Sequence, residues 1–398
     1  MTWKETQVFD EKVRFVTTFF DEDDCRSMTE ICRAFGVSRK TGYAAVARYC
    51  AGGFDALRER SRAPLKHPNI TPTDIEDAIV AARLEHPKWG PKKLLHILRA
   101  VQPNKNWPAL STAGQILKRR GLVVPRKTRH RTPPYTQPLA AAVRPNDVWT
   151  ADHKGSFRTG DRAFCVPLTI SDAMSRFQLE LQATTSTSFD AAWPHFEHAF
   201  RVYGLPARIR SDNGTPFASN GLGGLTRLSA WWVRLGIVPE RIEPGCPEQN
   251  GRHERFHLTL DQEVGIRSSL AAQQRAYDRF RLEYNHVRPH EALGMRTPAD
   301  VYEPSPRPYP RKLPEVEYPS HFEVRSVRGD GTVKWQGDLM YVSEALVGEP
   351  VGLERISEHE WRLCFSFLDL AVYDEKSRKL RRPPRFRGPV AAGSGEPS

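Results

Sequence analysis

Three carboxylates stand where side chains of their kind could act together. Asp152 ends the β-rich run DVWTADHKGSF, and Asp212 ends PARIRSDNGTPF just before Asn213-Gly214. Glu254 follows Asn250-Gly251 in GCPEQNGRHERFHLTL. Carboxylates at strand ends and at a helix start can converge on one edge of a sheet, where an α/β domain usually sets its site. Hard divalent cations such as Mg2+ take oxygen ligands, use few carboxylates and leave room for water and phosphate oxygens. Two such ions roughly 3.5–4 Å apart can activate a water or a 3′-hydroxyl and stabilise the leaving oxygen of a phosphoryl transfer. Taken singly, each residue has a plainer role. Asp212 could cap a turn, Asp152 could pair with Lys154, and Glu254 could be a solvated glutamate beside an arginine. Phe256, Leu260 and Val264 form an apolar stripe on the helix that carries Glu254. Glu254 lies off that stripe, so periodicity alone leaves its direction open.

The flanking patterns indicate the scaffold. DVWTADHKGSF, AFCVPLTISDA and RFQLELQATTS are three strand-like runs separated by turn residues, a meander. SFDAAWPHFEHAFRVYG reads as a helix, PARIRS as a short strand, LTRLSAWWVRLG as a helix and VPERIEP as another strand. Strands that then alternate with helices indicate an α/β domain with a mixed, five-stranded sheet over residues 145–303. Upstream, residues 28–49 read as helix, turn, helix, with Gly36 as the break and Ser38 as an N-cap, inside a first all-α domain (1–58). A linker (59–72) leads to a second helix-turn-helix unit, winged-helix-like, over 73–124, in which Ser111 or Thr112 would cap a basic helix. A basic, proline-containing linker (125–144) precedes the central domain, and a proline-rich linker (304–320) follows it. Residues 321–376 read as a small β-barrel with a hairpin turning at Asp330-Gly331, and 377–398 as a basic, disordered tail.

Charge concentrates where a polyanion would bind. The formal net charge is +12, and residues 58–131 alone hold 17 Lys plus Arg against 5 Asp plus Glu, whereas residues 1–57 hold 8 against 9. The run KSRKLRRPPRFR (376–387) contains no acid. Such a distribution is the footprint expected of a nucleic-acid binder. Arg39, Lys40, Thr41 and Tyr43, at the start of the second helix, are placed as a recognition helix places its contacts. Lys118, Arg119 and Arg120, then Arg126, Lys127 and Arg129, are the further candidates. The 6 cysteines include no C-x-x-C pair, and the histidines read as unpaired at ligand spacing. Neither a disulfide framework nor a structural zinc site is expected. The charged N-terminus and the lack of a long apolar run point to a soluble protein of a reducing compartment.

WTAD (149–152), SDNGTPF (211–217) and PEQNGRHERF (247–256) together resemble the three signature blocks of DDE transposases in the retroviral-integrase superfamily. More closely, the chain resembles bacterial insertion-sequence transposases of the integrase-core type. YNHVRPHEAL (284–293), followed by Thr297-Pro298, extends the resemblance, which takes in nearly all of residues 10–375. It implies an RNase H-like core that nicks DNA at element ends and joins the 3′-hydroxyls to target DNA by a two-metal mechanism. Asp152, Asp212 and Glu254 would be both the catalytic residues and the metal ligands, with two Mg2+ ions per site and Mn2+ as a substitute. Asn250 and Gly251 would shape the turn that presents the glutamate, and Asn213 and Gly214 would let substrate approach Asp212. Arg252, His253 and Arg255 would meet phosphates. The partners implied are double-stranded DNA, both element terminal repeats and target, and further copies of the chain, at least a dimer on DNA. The setting implied is the bacterial cytoplasm, at the nucleoid.

Two features depart from that pattern. Between Asp212 and Glu254 lie 41 residues, several more than the commonest spacing, and GLGGLTRLS (221–229) is the expected surplus loop. A basic residue is usual two turns after the glutamate, where this chain has Asp261. Glu248 is the alternative third ligand. A catalytically inactive or domesticated relative, acting as a DNA-binding regulator, is the competing reading. A tyrosine recombinase is a third, because Arg281, Tyr284, His286, Arg288 and His290 crowd together, although that chemistry needs arginines from distant segments.

Overall fold

Two serines set the helices of the first unit. Its elements are α1 (Val8–Phe19), α2 (Met28–Ala34) and α3 (Arg39–Gly52). Ser27 caps α2 in a reciprocal box with Glu30, and Ser38 caps α3 by accepting from the Thr41 N–H, which satisfies donors that have no partner inside the helix. Phe15, Val16, Ile31, Cys32, Ala45 and Leu57 make the core. A Cβ on Gly42 would lie 2.6 Å from the Cys32 sulfur and 2.7 Å from the Phe15 ring, so α3 can seat this closely only with glycine there. The helix-turn-helix expected over 28–49 is present, with α1 added in front. The computed structural model describes residues 8–59, 70–124, 141–219, 221–243 and 251–381, and divides after Thr71 into two units.

The second unit begins with α4 (Thr73–Glu85), α5 (Pro91–Val101) and α6 (Leu110–Arg119). They close around Ile79, Trp89, Leu94, Leu95, Ile116 and Leu117. The N-cap of α6 is Ala109, with no side-chain cap. The helix therefore starts ahead of the expected caps Ser111 and Thr112.

Next come β1 (Val148–His153), the two-residue β2 (Phe157–Arg158), β3 (Phe164–Asp172), β4 (Gln178–Thr184), α7 (Phe189–Tyr203) and β5 (Arg208–Ser211). α8 (Arg227–Arg234), β6 (Val238–Arg241), α9 (Gly251–Glu263) and α10 (Leu270–His286) complete the domain. The sheet is mixed. β3 pairs antiparallel with β1, β2 and β4, while β5 runs parallel to β1 and to β6. The five expected strands are thus present, and β2 adds a short sixth. Trp149, Leu168, Ile170, Phe196, Phe200, Ile209 and Trp232 form the core under α7 and α8. The stripe Phe256, Leu260 and Val264 of α9 packs on Leu181 of β4 and on Tyr277, Phe280 and Tyr284 of α10.

The proline-rich segment after 304 lies against the central domain as a strap. Leu205 N–H donates to the Arg307 carbonyl, and Arg307 donates to the carbonyls of Pro206 and Leu235. Beyond it, β7 (Glu323–Ser326) joins β10 (Pro350–Arg355), β11 (Glu360–Phe365), β12 (Leu368–Asp374) and β13 (Lys379–Arg381) in an antiparallel sheet ordered β13-β12-β11-β10-β7. β13 falls inside the stretch expected to be tail. β8 (Thr332–Trp335) and β9 (Asp338–Tyr341) form a separate hairpin. Its turn is at Gln336-Gly337, where φ is 47° and 90°, two positive values in succession that suit a tight hairpin. The expected turn at Asp330-Gly331 instead separates β7 from β8, because β7 pairs with β10. No helix among the described residues is long and apolar enough to cross a membrane.

The supposed surplus loop is a docking element. Leu225, Ala230 and Val233 share one buried cluster with Val342, Leu346, Leu363 and Leu370 of the C-terminal region. Thr226 caps α8 reciprocally with Ser229, and Arg241 donates to the carbonyls of Gly223 and Gly224.

Candidate active site

Ala151 on β1 stands opposite Ser211 on the parallel strand β5. The next residue on each is an aspartate. Asp152 and Asp212 therefore lie side by side at the carboxyl ends of neighbouring strands, about 4.8 Å apart in backbone spacing. The turn after Asp212 is tied down by Asn213 Nδ2, which donates to the Ile242 carbonyl at 2.8 Å. A Cβ on Gly214 would sit 2.9 Å from Asp212 Oδ2, so glycine lets the backbone close on that carboxylate. Gly214 N–H donates to the Asp212 carboxylate, whose Oδ1 is buried without a hydrogen-bond partner among the described residues. Glu254 projects from the first turn of α9 and is exposed. Asn250 and Glu248 lie outside the described residues, and Gly251 is the first residue of α9.

The electrostatics couple these groups. Burial, then the charge of Asp212, push the Asp152 carboxyl up to about 7; the His153 N–H opposes the rise and the charge of Glu254 adds to it. Burial also raises Asp212, against the Gly214 N–H. Carboxylates that are partly buried and repel one another present an all-oxygen donor set whose strain a divalent cation would relieve. Lys154, just past Asp152, pairs with Asp261 at 2.6 Å.

The polar face of α9 adds two residues to these. His253 and His257 are four apart in an H-E-x-x-H arrangement, a spacing that sets two imidazoles on one helical face. This pair corrects the expectation that no histidines stand at ligand spacing. His253 is 2% exposed, which corrects its assignment to DNA phosphates. Its Nδ1 lies 3.0 Å from Thr150 Oγ1 and its Nε2 meets Thr169 Oγ1. His257 Nε2 lies 3.0 Å from the same Thr169 hydroxyl, and its Nδ1 is 3.9 Å from Asp152 Oδ2. Burial pulls His253 down to about 3 and His257 to about 2, so both rings are neutral. The two histidines thus clip the helix bearing Glu254 to the strands bearing Asp152 and Thr169.

Among solved structures, the HTLV-2 integrase catalytic core domain in complex with magnesium aligns at 14% identity over 41% of this chain and 100% of that one, with a TM-score of 0.33. A chain of the simian T-cell lymphotropic virus intasome in complex with PP2A regulatory subunit B56 gamma aligns at 17% identity over 77% of this chain and 100% of that one, with a TM-score of 0.36. An uncharacterized 39.2 kDa protein of insertion element IS476 from Xanthomonas euvesicatoria is 27% identical over 248 residues, covering 60% of this chain and 68% of its own. An uncharacterized 31.7 kDa protein of insertion element IS407 from Burkholderia multivorans is 25% identical over 237 residues, covering 57% and 82%. A homeodomain-like domain model matches residues 41–117, and an integrase core domain model matches residues 235–298, the stretch that contains Glu254. Together these matches support an insertion-sequence transposase of the integrase-core type.

The block YNHVRPHEAL is a weld. Tyr284 is 7% exposed, and burial pushes its phenol up to about 12, which removes it as a nucleophile and with it the recombinase reading. Arg288 pairs with Glu263 at the end of α9 at 2.5 Å and lies over the rings of Trp89 and Tyr284 at 5.8 Å. His86 meets Glu283 at 3.0 Å, and Lys92 meets Glu291 at 3.0 Å. The helices α4 to α6 are thereby held to the core.

The basic residues divide by what they touch. Arg39, Lys40 and Tyr43 are exposed on α3, whereas Thr41 is half-buried and engaged with Ser38. Lys118 is exposed. Arg119 pairs with Glu76, and Arg120 with Glu76 and Asp77. Arg252 donates to the Ala173 carbonyl at 2.9 Å, and Arg255 is exposed. Arg126, Lys127 and Arg129 lie outside the described residues.

Proposed function

We propose that this transposase nicks DNA at the 3′ ends of its element and joins the freed 3′-hydroxyls to target DNA, through Asp152, Asp212 and Glu254 holding two Mg2+ ions, with Mn2+ able to replace them. The observation that carries this reading is the pair of aspartates leaving adjacent parallel strands, with the charge of Glu254 bearing on Asp152. Bound divalent ions would supply an activated water or 3′-hydroxyl and charge stabilisation for the leaving oxygen. The chain's own residues do the rest. The strand register fixes the two aspartates, Gly214 and Asn213 hold the turn beside Asp212, and the His253 network holds the helix that presents Glu254. No side chain is needed as a covalent carrier. Arg39, Lys40 and Tyr43 on α3 would contact the terminal repeats, and Arg255 the phosphates near the site. Joining two ends together calls for at least two copies of the chain on DNA.

The test is strand transfer by the full-length protein on a labelled duplex of the element's own end, with Mg2+ or Mn2+, comparing wild type with Glu254→Gln. Metal-dependent joining that disappears in the variant is the expected result. Joining that survives would move the third ligand to Glu248 or end the three-carboxylate reading. Tight binding of the end by both proteins without joining would favour the regulator.

A further inference from the structure

Thr169 has one hydroxyl proton and three polar neighbours. Its Oγ1 lies 3.0 Å from the Asp152 carbonyl, which can only accept, and it also meets the Nε2 atoms of His253 and His257. All three contacts are satisfied only if Thr169 donates to the carbonyl and both Nε2 atoms carry the ring proton and donate to Thr169. His253 Nδ1 then accepts from Thr150 Oγ1, and Thr150 accepts from Ser171 Oγ at 2.8 Å. Every polar side-chain atom of His253 is used. The same assignment leaves His257 Nδ1 with a bare lone pair. That nitrogen makes no hydrogen bond among the described residues and faces Asp152 Oδ2 at 3.9 Å, beyond hydrogen-bond reach. Two donors each about 2.1 Å from one ion can stand no more than about 4.2 Å apart, so the separation suits a shared cation. Ligand atoms of Asp152, His253 and His257 lie within 4.8 Å of one another, and the hydroxyl network singles out His257 from the two histidines.

We propose that His257 Nδ1 is a nitrogen ligand to the divalent cation held by Asp152, a contact that Mn2+ uses when it replaces Mg2+ and that Mg2+ itself makes only weakly. The proposal rests on the reading of Asp152 as a metal ligand. Imidazole suits transition ions better than Mg2+, which keeps to oxygen. Thr169 acts at one remove, as a positioning residue. Its hydroxyl fixes the tautomer that frees Nδ1, as the outer partners of a metal-bound imidazole commonly do.

The experiment is Mn2+ binding by the full-length protein, followed by pulsed EPR for 14N coupling, with Mg2+ affinity taken from competition. The expected result is 14N coupling in the wild type that is lost in His257→Gln. Mn2+ affinity should fall about tenfold in that variant and Mg2+ affinity less than about twofold. Wild-type Mn2+ that depends on Asp152 but gives no 14N coupling would overturn the nitrogen ligand and leave the carboxylate reading standing. A coupling that persists in His257→Gln would do the same. Mn2+ binding unchanged in Asp152→Asn would overturn both readings. The wild-type spectrum decides the matter even if His257→Gln does not fold.

Discussion

The carboxylates at the sheet edge and the cluster around Arg288 are equally rich in chemically able side chains, and the packing treats them in opposite ways. At the sheet edge, like charges are brought together and part of the donor capacity is left unused, as in the buried Oδ1 of Asp212. Around Arg288 each charge meets its opposite or an aromatic face, with Glu263 at 2.5 Å and Trp89 at 5.8 Å. Density of reactive residue types therefore does not mark a site. Charge left without compensation does. The helical units repeat the contrast. Arg39 and Lys40 form no ion pair among the described residues, while Arg119 and Arg120 are already paired with Glu76 and Asp77.

Turnover should respond most strongly to this difference. Asp212→Asn should lower strand transfer by at least about a hundredfold to a thousandfold, in protein whose circular dichroism is unchanged. A smaller loss would mean that the orphaned oxygen is not part of the machinery. Arg288→Ala should act on stability instead, costing roughly 3 kcal/mol by stranding Glu263, read by thermal unfolding. Activity per folded molecule should change little, and a turnover defect without a stability defect would break the contrast. Asp152→Asn should move stability the other way. A folded carboxyl raised to about 7 from 3.8 binds its proton more tightly than the unfolded chain does. Stability then falls as pH rises through that window, and above it the full penalty is present. Metal-free Asp152→Asn at pH 8 should therefore be more stable than wild type by on the order of 4 kcal/mol, and at pH 3 the difference should vanish. DNA binding should show the mildest response. Arg39→Ala with Lys40→Ala should reduce the salt slope of end binding by about one for each phosphate no longer engaged, whereas Arg119→Ala with Arg120→Ala should reduce it less. Equal slopes would show that the pairs with Glu76 and Asp77 open on DNA.

Strand ends and caps are legible in the sequence because their signals are local. Asp152 and Asp212 follow short β-rich runs, Ser38 sits before α3, and Phe256, Leu260 and Val264 repeat every fourth residue. The helix α10 is harder to read. Its buried Tyr277, Phe280 and Tyr284 are interleaved with Arg275, Asp278, Arg279, Arg281 and Glu283, and Leu282 puts an apolar side chain on the solvent side at 59% exposure. Both effects blur the stripe. The polar face of α9 is hidden for another reason. The hydroxyls that engage His253 and His257 come from Thr150 and Thr169 on distant strands, and only the H-E-x-x-H spacing announces them. Arg119 and Arg120 look available because their acidic partners on α4 lie 43 residues upstream.

The segment 225–233 ties the fate of two sheets together. Its Leu225, Ala230 and Val233 are covered by residues of the C-terminal strands, and the same stretch of chain connects the Asp212 turn to β6. The integrase core and the C-terminal sheets should therefore melt in one cooperative transition. A chain cut after the strap would expose these side chains close in sequence to the Asp212 turn, so the C-terminal sheets are not a detachable module.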